Sequence, residues 1–136
     1  MKRNLKIYIP LIIFIIAIGF HSRITPNHLP QWYTTYAGDF LWALLLFLLY
    51  CLVFRLKTKP AFFISLATAY LIEISQLFHP AWLESLRSIK IFALVLGFGF
   101  LWSDISMYTL GISVAALLDS LITAKMTPRK PCVPLE

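Results

Sequence analysis

Four long apolar runs, bounded by basic or polar segments, dominate this sequence and restrict what it can fold into. They cover about residues 5–22, 38–56, 60–79 and 104–122. Hydrophobic residues make up 60% of the 136 residues and charged residues only 13%, against roughly 25% charged residues in a soluble domain. A soluble chain of this length has too little interior to hide so much apolar surface. The sequence therefore predicts an all-α polytopic membrane protein, folded as one membrane domain over residues 1–136.

The first run follows a basic start formed by Lys2, Arg3 and Lys6. Signal peptides begin in the same way, but they end in small residues at the cleavage site. Here Phe20 and Arg23 stand where those small residues should be. We therefore expect the first run to be an uncleaved membrane span.

A shorter apolar stretch between the third and fourth runs decides the number of spans. Residues 91–102 would reach only about 18 Å as a helix, short of a hydrocarbon core of about 30 Å. Four spans leave nine Lys and Arg residues on one side and three on the other, whereas a fifth span would leave six on each. Because positive charge collects on the cytoplasmic side, we expect four spans with both termini in the cytoplasm. Residues 89–102 are then an interfacial or re-entrant segment, and the basic, proline-rich tail at 125–136 is disordered.

Several polar residues gather at the outer surface in this topology. Asp39 and Asp104 open the second and fourth spans, and the simplest interpretation of each is a helix N-cap. Asp119 is the exception, because it lies near the cytoplasmic end. We expect Asp119 to be solvated or to meet a lysine of the tail.

Glu73 has no such simple interpretation, because it lies within the third apolar run. A charged group in mid-span costs roughly 2.5–3.5 kcal/mol on insertion scales, and less toward the interface. Such a residue faces the bundle interior and has a partner. Two interpretations stay open: a functional group, or an internal clamp with Arg23 or Arg87 as its counter-ion.

Helical spacing predicts that polar residues of three spans share inward faces. On the second span, Asp39 and Trp42 are three positions apart and share one side of a helix. On the third and fourth spans, Glu73 and Gln76 are three apart and Asp104 and Tyr108 are four apart, so each of these two pairs also lies on one side. Gly111 continues the pair on the fourth span and lets another helix approach closely. The pattern predicts a small outward-opening pocket, whose candidate ligand-binding residues are Arg23, Asp39, Trp42, Glu73, Gln76, Arg87, Asp104 and Tyr108.

Four motifs carry a family resemblance: "GDFLWA" in the second run, "EISQLF" in the third, "LRSIK" after it, and "GFGFLWSDISMYTLG" leading into the fourth. In this order they resemble the domain of unknown function 2809 family over about residues 5–122. These are small proteins of the bacterial inner membrane, distantly related to VanZ-like proteins. The resemblance implies four spans and no established activity. The matching positions are Arg23, Gly38, Asp39, Trp42, Glu73, Gln76, Arg87, Asp104, Tyr108 and Gly111.

VanZ-like relatives are associated with tolerance of glycopeptide antibiotics by an unknown route. They carry an Asp and an Asn in the helix that follows the arginine. This sequence has Phe-, Leu- and Gly-rich residues there instead. The resemblance to VanZ-like proteins is therefore incomplete at these positions.

Two functions from different classes fit these observations. In the first, the pocket binds or processes a polar or lipid-linked envelope ligand, with Arg23 and Arg87 attracting its anionic part. Glu73 then acts as a hydrogen-bond donor or an acid–base group. In the second, the protein is a structural or accessory membrane subunit whose polar residues only pack the helices. Whether it is an enzyme stays open.

Other classes are less favoured. One four-span chain is small for a translocation path, so a transporter would need an oligomer. Asp39, Glu73 and Asp104 offer oxygen ligands for a hard cation, but no local metal motif accompanies them. The net charge of +6 lies in groups at the ends of the runs, which argues against a nucleic-acid groove. We expect no cofactor and no metal. The expected partners are the bilayer, a small polar or lipid-linked ligand, and a second copy or another membrane protein.

Overall fold

The computed structural model describes residues 3–24, 30–92 and 99–126, and the regular elements within those ranges are all α-helices. Residues 93–98, in the middle of the predicted interfacial segment at 89–102, and the tail after Met126 lie outside the described residues. Helical backbone also occurs at residues 90–92. The helices used below are α1 (Leu5–Ile24), α2 (Gln31–Val53), α3 (Thr58–Ser75), α4 (Ala81–Arg87) and α5 (Trp102–Met126).

The helix boundaries differ from the predicted ones at three points, each for a local reason. α2 begins at Gln31, before the predicted start near residue 38, because the extended residue Pro30 caps it and proline is tolerated at a helix start. α3 ends at Ser75, before the predicted end near residue 79, because tighter turns follow and Pro80 disfavours helix in the residue before it. α5 continues through Met126, so the first two residues of the predicted disordered tail are helical.

The four long helices alternate in direction around α2. α2 packs against α1, α3 and α5, and α3 also packs against α5. Residues 54–57 join α2 to α3, and such a short connection makes neighbouring helices antiparallel. Within it, Arg55 adopts a φ of 52°, the left-handed conformation that commonly ends a helix. The starts of α1 and α3 therefore lie beside the ends of α2 and α5.

Small residues set the distances between the packed helices. The buried face of α3 repeats every four residues through Ala61, Ser65, Ala69 and Glu73, and small residues at this spacing let helix backbones approach closely. On α5, a Cβ atom added to Gly111 would lie 2.5 Å from the carbonyl oxygen of Phe40. The predicted close approach at Gly111 is therefore confirmed.

Two helical segments of the described residues are long and apolar enough to cross a membrane, Thr35–Val53 and Trp102–Lys125. A shorter apolar segment lies at Leu5–His21. By length and composition these segments indicate a membrane protein, although weakly. The expectations of four spans, of an inner-membrane location and of cytoplasmic termini stay predictions.

Candidate functional site

Glu73 lies in the last turn of α3, and its side chain is 0% exposed. Its Oε1 atom accepts a hydrogen bond from the backbone N–H of Leu101 at 2.9 Å. Its Oε2 atom accepts from Gln76 Nε2 at 3.0 Å and from the Tyr108 hydroxyl at 3.2 Å. Both carboxylate oxygens are thus satisfied by the protein. We call these four residues the Glu73 cluster.

The local backbone explains why these donors converge. Gln76 is the C-cap residue of α3, one helical turn after Glu73, so its side chain reaches back along the same face. Leu101 directly precedes α5, where backbone N–H groups lack partners within the helix. Tyr108 follows two turns later on α5. Glu73 therefore joins α3 to the start of α5, as a clamp between helices would.

Arg87 does not serve as the counter-ion of Glu73 that the sequence suggested. It ends α4, is 1% exposed, and donates to the carbonyl oxygens of Ser75 at 2.9 Å and Phe78 at 3.1 Å. It also forms an ion pair with Glu84 at 3.4 Å. A cation at the last carbonyls of a helix satisfies them and complements the helix dipole. Arg87 therefore caps the end of α3.

The Nε atom of Arg87 is buried and has no hydrogen-bond partner among the residues that the structure describes. Arg23, the other suggested counter-ion, lies in α1 near its end. The structure describes the backbone of Arg23 but not its side chain.

The two aspartates predicted as N-caps do not occupy cap positions. Asp39 lies inside α2, well after its cap at Pro30, and Asp104 lies in the first turn of α5. An acid in the first turn still favours the helix dipole, and Asp104 accepts a hydrogen bond from the Ser103 hydroxyl at 2.9 Å. The N-cap prediction is wrong for both aspartates, because each helix begins earlier in the chain than its hydropathy suggests.

The remaining candidates lie beside the Glu73 cluster. The rings of Trp42 and Tyr108 pack with their centroids 6.0 Å apart. Asp39 and Asp104 are close enough for their charges to act on the Tyr108 hydroxyl. Within the ranges that the structure describes, however, no three His, Cys, Asp or Glu side chains are grouped to hold a metal ion. Asp39, Glu73 and Asp104 therefore do not form a preorganised cation site in the described residues.

A second buried polar cluster lies at the opposite end of the bundle, around Asp119. Asp119 is 1% exposed, so the expectation that it is solvated is wrong. Arg3 donates to both of its carboxylate oxygens, from Nε and Nη2, at 2.8 Å each. Thr58 donates to Oδ2 at 2.5 Å, and the Tyr8 hydroxyl donates to Oδ1.

Arg3 completes this Asp119 cluster, which consists of Arg3, Tyr8, Thr58 and Asp119. Its Nη1 atom donates to the carbonyl oxygens of Cys51, at 3.1 Å, and of Leu56. The hydrogen bonds to Asp119 raise the pKa of Arg3 above its ordinary value, so it stays charged. The cluster therefore ties the chain start to the end of α2, the start of α3 and the second half of α5.

The sequence contains a signal for this cluster, although the predicted pocket does not include its residues. Asp119 is an acid inside an apolar run, the same anomaly that singled out Glu73. The predicted four-span topology also puts Arg3 and Asp119 on the same side of the membrane. The predicted topology gave Arg3 only a role in orientation, because it lies among other basic residues at the start of the sequence.

A family model described as "Protein of unknown function (DUF2809)" matches residues 28–112 of the chain. This range contains all of the Glu73 cluster, but it excludes Arg3, Tyr8 and Asp119. No solved structure matches the chain. The relationship to VanZ-like proteins stays a prediction.

Proposed function

This chain belongs to the DUF2809 family of proteins of unknown function, and we propose that it is a small polytopic membrane protein serving as a structural or accessory subunit. Its buried acids and arginines join the helices of a four-span bundle. The observation that carries the proposal is the closed environment of Glu73, whose two oxygens both accept hydrogen bonds from within the protein. A carboxylate satisfied in this way has little capacity left for a ligand.

The distribution of polar and apolar side chains supports the membrane part of the proposal. Among the described residues, four acidic or basic side chains are buried: Arg3, Glu73, Arg87 and Asp119. Large apolar side chains, in contrast, are exposed on each long helix, for example Phe14, Val53, Phe63 and Leu117. In water, apolar side chains are mostly buried and charged side chains mostly exposed. In hydrocarbon, exposed apolar side chains cost nothing, and charged side chains face the interior of the bundle.

Helix length and direction support four spans. α1, α2 and α5 contain 20, 23 and 25 residues, which is about 30, 35 and 38 Å of helix. α3 contains 18 residues, about 27 Å, close to the hydrocarbon thickness of about 30 Å. Alternating directions bring the Asp119 cluster, the start of α1 and the end of α5 to one side. The exposed basic residues there, Lys6, Arg55, Lys57, Lys59 and Lys125, favour the cytoplasmic side of a bacterial inner membrane.

A second candidate function is the binding of a polar or lipid-linked ligand near the Glu73 cluster. It is favoured by the buried, unpartnered Nε atom of Arg87 in the described residues, because a guanidinium group suits phosphate or carboxylate. Asp39, Asp104 and Trp42 lie at the same end of the bundle. In this alternative, Arg87 binds the anionic part of the ligand.

Glu73→Gln separates the two functions. An amide at position 73 keeps only one acceptor oxygen, so its NH₂ group would face a present donor in either orientation: the N–H of Leu101, or Gln76 and Tyr108. We expect the free energy of unfolding in detergent to fall by about 1–3 kcal/mol. The control is Lys90→Gln, which replaces an exposed charged side chain at the same end of the bundle by the same amide and should leave stability unchanged. Unchanged stability in Glu73→Gln, with loss of a small molecule seen on the wild type by native mass spectrometry, would favour the ligand-binding function.

A further inference from the structure

A groove of ≈ 830 Å³ runs between α3 and α5 at the Asp119 end of the bundle. This volume is within the range of about 300–1,000 Å³ for small-molecule sites. Its lining includes Lys57, Lys59, Phe62 and Phe63 from the α3 side, and Ser113 and Leu117 from α5. We call it the α3–α5 groove.

The chemistry of the α3–α5 groove changes along its length. Lys57 and Lys59 flank the start of α3, and both side chains are exposed. Further along, the walls are apolar, and Phe63 and Leu117 are themselves exposed. The groove therefore opens on the side of the bundle, with two positive charges at one end and apolar side chains at the other. A ligand that matches it needs an anionic head and an apolar chain.

We propose that the α3–α5 groove binds one anionic phospholipid of the cytoplasmic leaflet, with its phosphate at Lys57 and Lys59 and an acyl chain along Phe62, Phe63 and Leu117. The inference rests on the four-span topology proposed above, which brings both lysines to the cytoplasmic surface. Basic pockets between spanning helices on that side suit anionic head groups. The sideways opening faces the lipid from which the ligand would enter.

Charge favours a lipid over a second copy of the chain. In a symmetric dimer the same surface patch meets itself. Two copies joined through this groove would bring their Lys57 and Lys59 side chains toward each other, and juxtaposed like charges oppose association. An anionic phospholipid instead neutralises these charges.

The α3–α5 groove also adjoins the Asp119 cluster. Thr58 lines the groove, and its hydroxyl donates to Asp119 at 2.5 Å. A lipid bound there contacts the start of α3, which the Asp119 cluster also contacts through Thr58. Because a ligand that binds only the folded state stabilises it, the lipid raises the unfolding temperature of the protein.

The test is a titration of the detergent-purified full chain with phosphatidylglycerol, and separately with phosphatidylcholine, followed by native mass spectrometry. The groove variant is Lys57→Gln/Lys59→Gln. The matched control is Lys6→Gln/Lys125→Gln, which removes two exposed lysines from the same end of the bundle, neither of which lines the groove. A third variant, Ser113→Trp, fills the groove and keeps all the lysines.

The wild type should retain phosphatidylglycerol in preference to phosphatidylcholine. The groove variant should lose about 30-fold in affinity for phosphatidylglycerol, at about 1 kcal/mol for each lysine. The control should change less than about 3-fold, and Ser113→Trp should lose the bound lipid. Unfolding temperatures without lipid verify that each variant is folded.

Equal losses in the groove variant and its control would overturn the proposal, because binding would then follow surface charge alone. Equal retention of the two lipids, or a dimer that Ser113→Trp dissociates, would overturn it as well. These outcomes leave the proposed structural role intact, since that role is tested by the stability of Glu73→Gln. An unchanged stability of Glu73→Gln would in turn leave the lipid titration valid.

Discussion

Arg3 and Asp119, 116 positions apart in the sequence, form a buried bidentate ion pair, with both N···O distances at 2.8 Å. The pair closes the bundle, because it fixes the start of the chain against the last long helix. An arginine fork matches a carboxylate in this geometry, and a lysine cannot reproduce it.

Removal of one partner of this pair should be strongly destabilising. Asp119→Leu leaves the Arg3 guanidinium buried without its counter-ion, so we expect a loss of about 3–5 kcal/mol in the free energy of unfolding. The double variant Arg3→Met/Asp119→Leu should recover most of that loss, because neither charge remains. Unfolding in detergent micelles measures both, and Lys6→Met controls for loss of a nearby exposed cation. If Asp119→Leu is as stable as the wild type, Asp119 is not buried against Arg3.

The contact between α2 and α5 makes a separate prediction at Gly111. In Gly111→Ala the new methyl group meets the Phe40 carbonyl oxygen at 2.5 Å and the Ala43 Cβ atom at 3.0 Å. The helices must then separate, at a cost of about 1–3 kcal/mol. Gly38→Ala is the control, since a Cβ atom there meets nothing within 4 Å and alanine favours helix. Thermal unfolding should therefore rank Gly38→Ala at or above the wild type and Gly111→Ala below it; the reverse order would contradict the packing.

The hydrogen bond from Tyr108 to Glu73 can be isolated by a double-mutant cycle. Tyr108→Phe keeps the ring against Trp42 and removes only the hydroxyl donor, so we expect a loss of about 0.5–1.5 kcal/mol. In a Glu73→Ala background the same change should cost almost nothing, because its acceptor is already gone. Tyr36→Phe, at an exposed position, should be neutral in both backgrounds. Equal costs of Tyr108→Phe with and without Glu73 would show that the hydroxyl acts elsewhere.

Arg87 should behave as a helix cap. Arg87→Met removes the donors to the carbonyl oxygens of Ser75 and Phe78, and we expect a loss of about 1–3 kcal/mol. Arg87→Lys should rescue only part of it, since one ammonium group cannot reproduce the fork. The exposed neighbour Lys90 provides the control Lys90→Met. Unfolding in detergent measures these losses. Normal stability of Arg87→Met would contradict the capping role and favour the second candidate function, in which Arg87 binds a ligand.

Local patterns predicted much of the fold. The apolar runs located the four long helices, and the small residue at Gly111 indicated where two helices touch. The helix ends were less accurate, because the start of α2 at Gln31 follows from the backbone conformation of Pro30 and not from a change in hydropathy. Hydropathy reports which solvent a segment prefers and carries little information on where its hydrogen bonds stop.

The partners of the polar residues were harder to predict than their positions. Helical spacing correctly joined Glu73 to Gln76, since Gln76 is the C-cap residue of α3 one turn after Glu73. The donors from Leu101 and Tyr108 depend on how α5 packs against α3, and Arg3 meets Asp119 only after the whole bundle has closed. One sequence contains no direct record of such distant pairs, so charge alone suggested Arg87 as the partner of Glu73.

The four-span topology is the central claim, and cysteine labelling of intact bacterial cells tests it most directly. Cys51 is buried and should stay unlabelled, so Cys132→Ser supplies the background. Ser88→Cys and Lys57→Cys then introduce thiols at exposed positions at opposite ends of the bundle. A membrane-impermeant maleimide should label Ser88→Cys in intact cells, and Lys57→Cys only after permeabilisation. Labelling of both positions from the same side of the membrane would contradict the account.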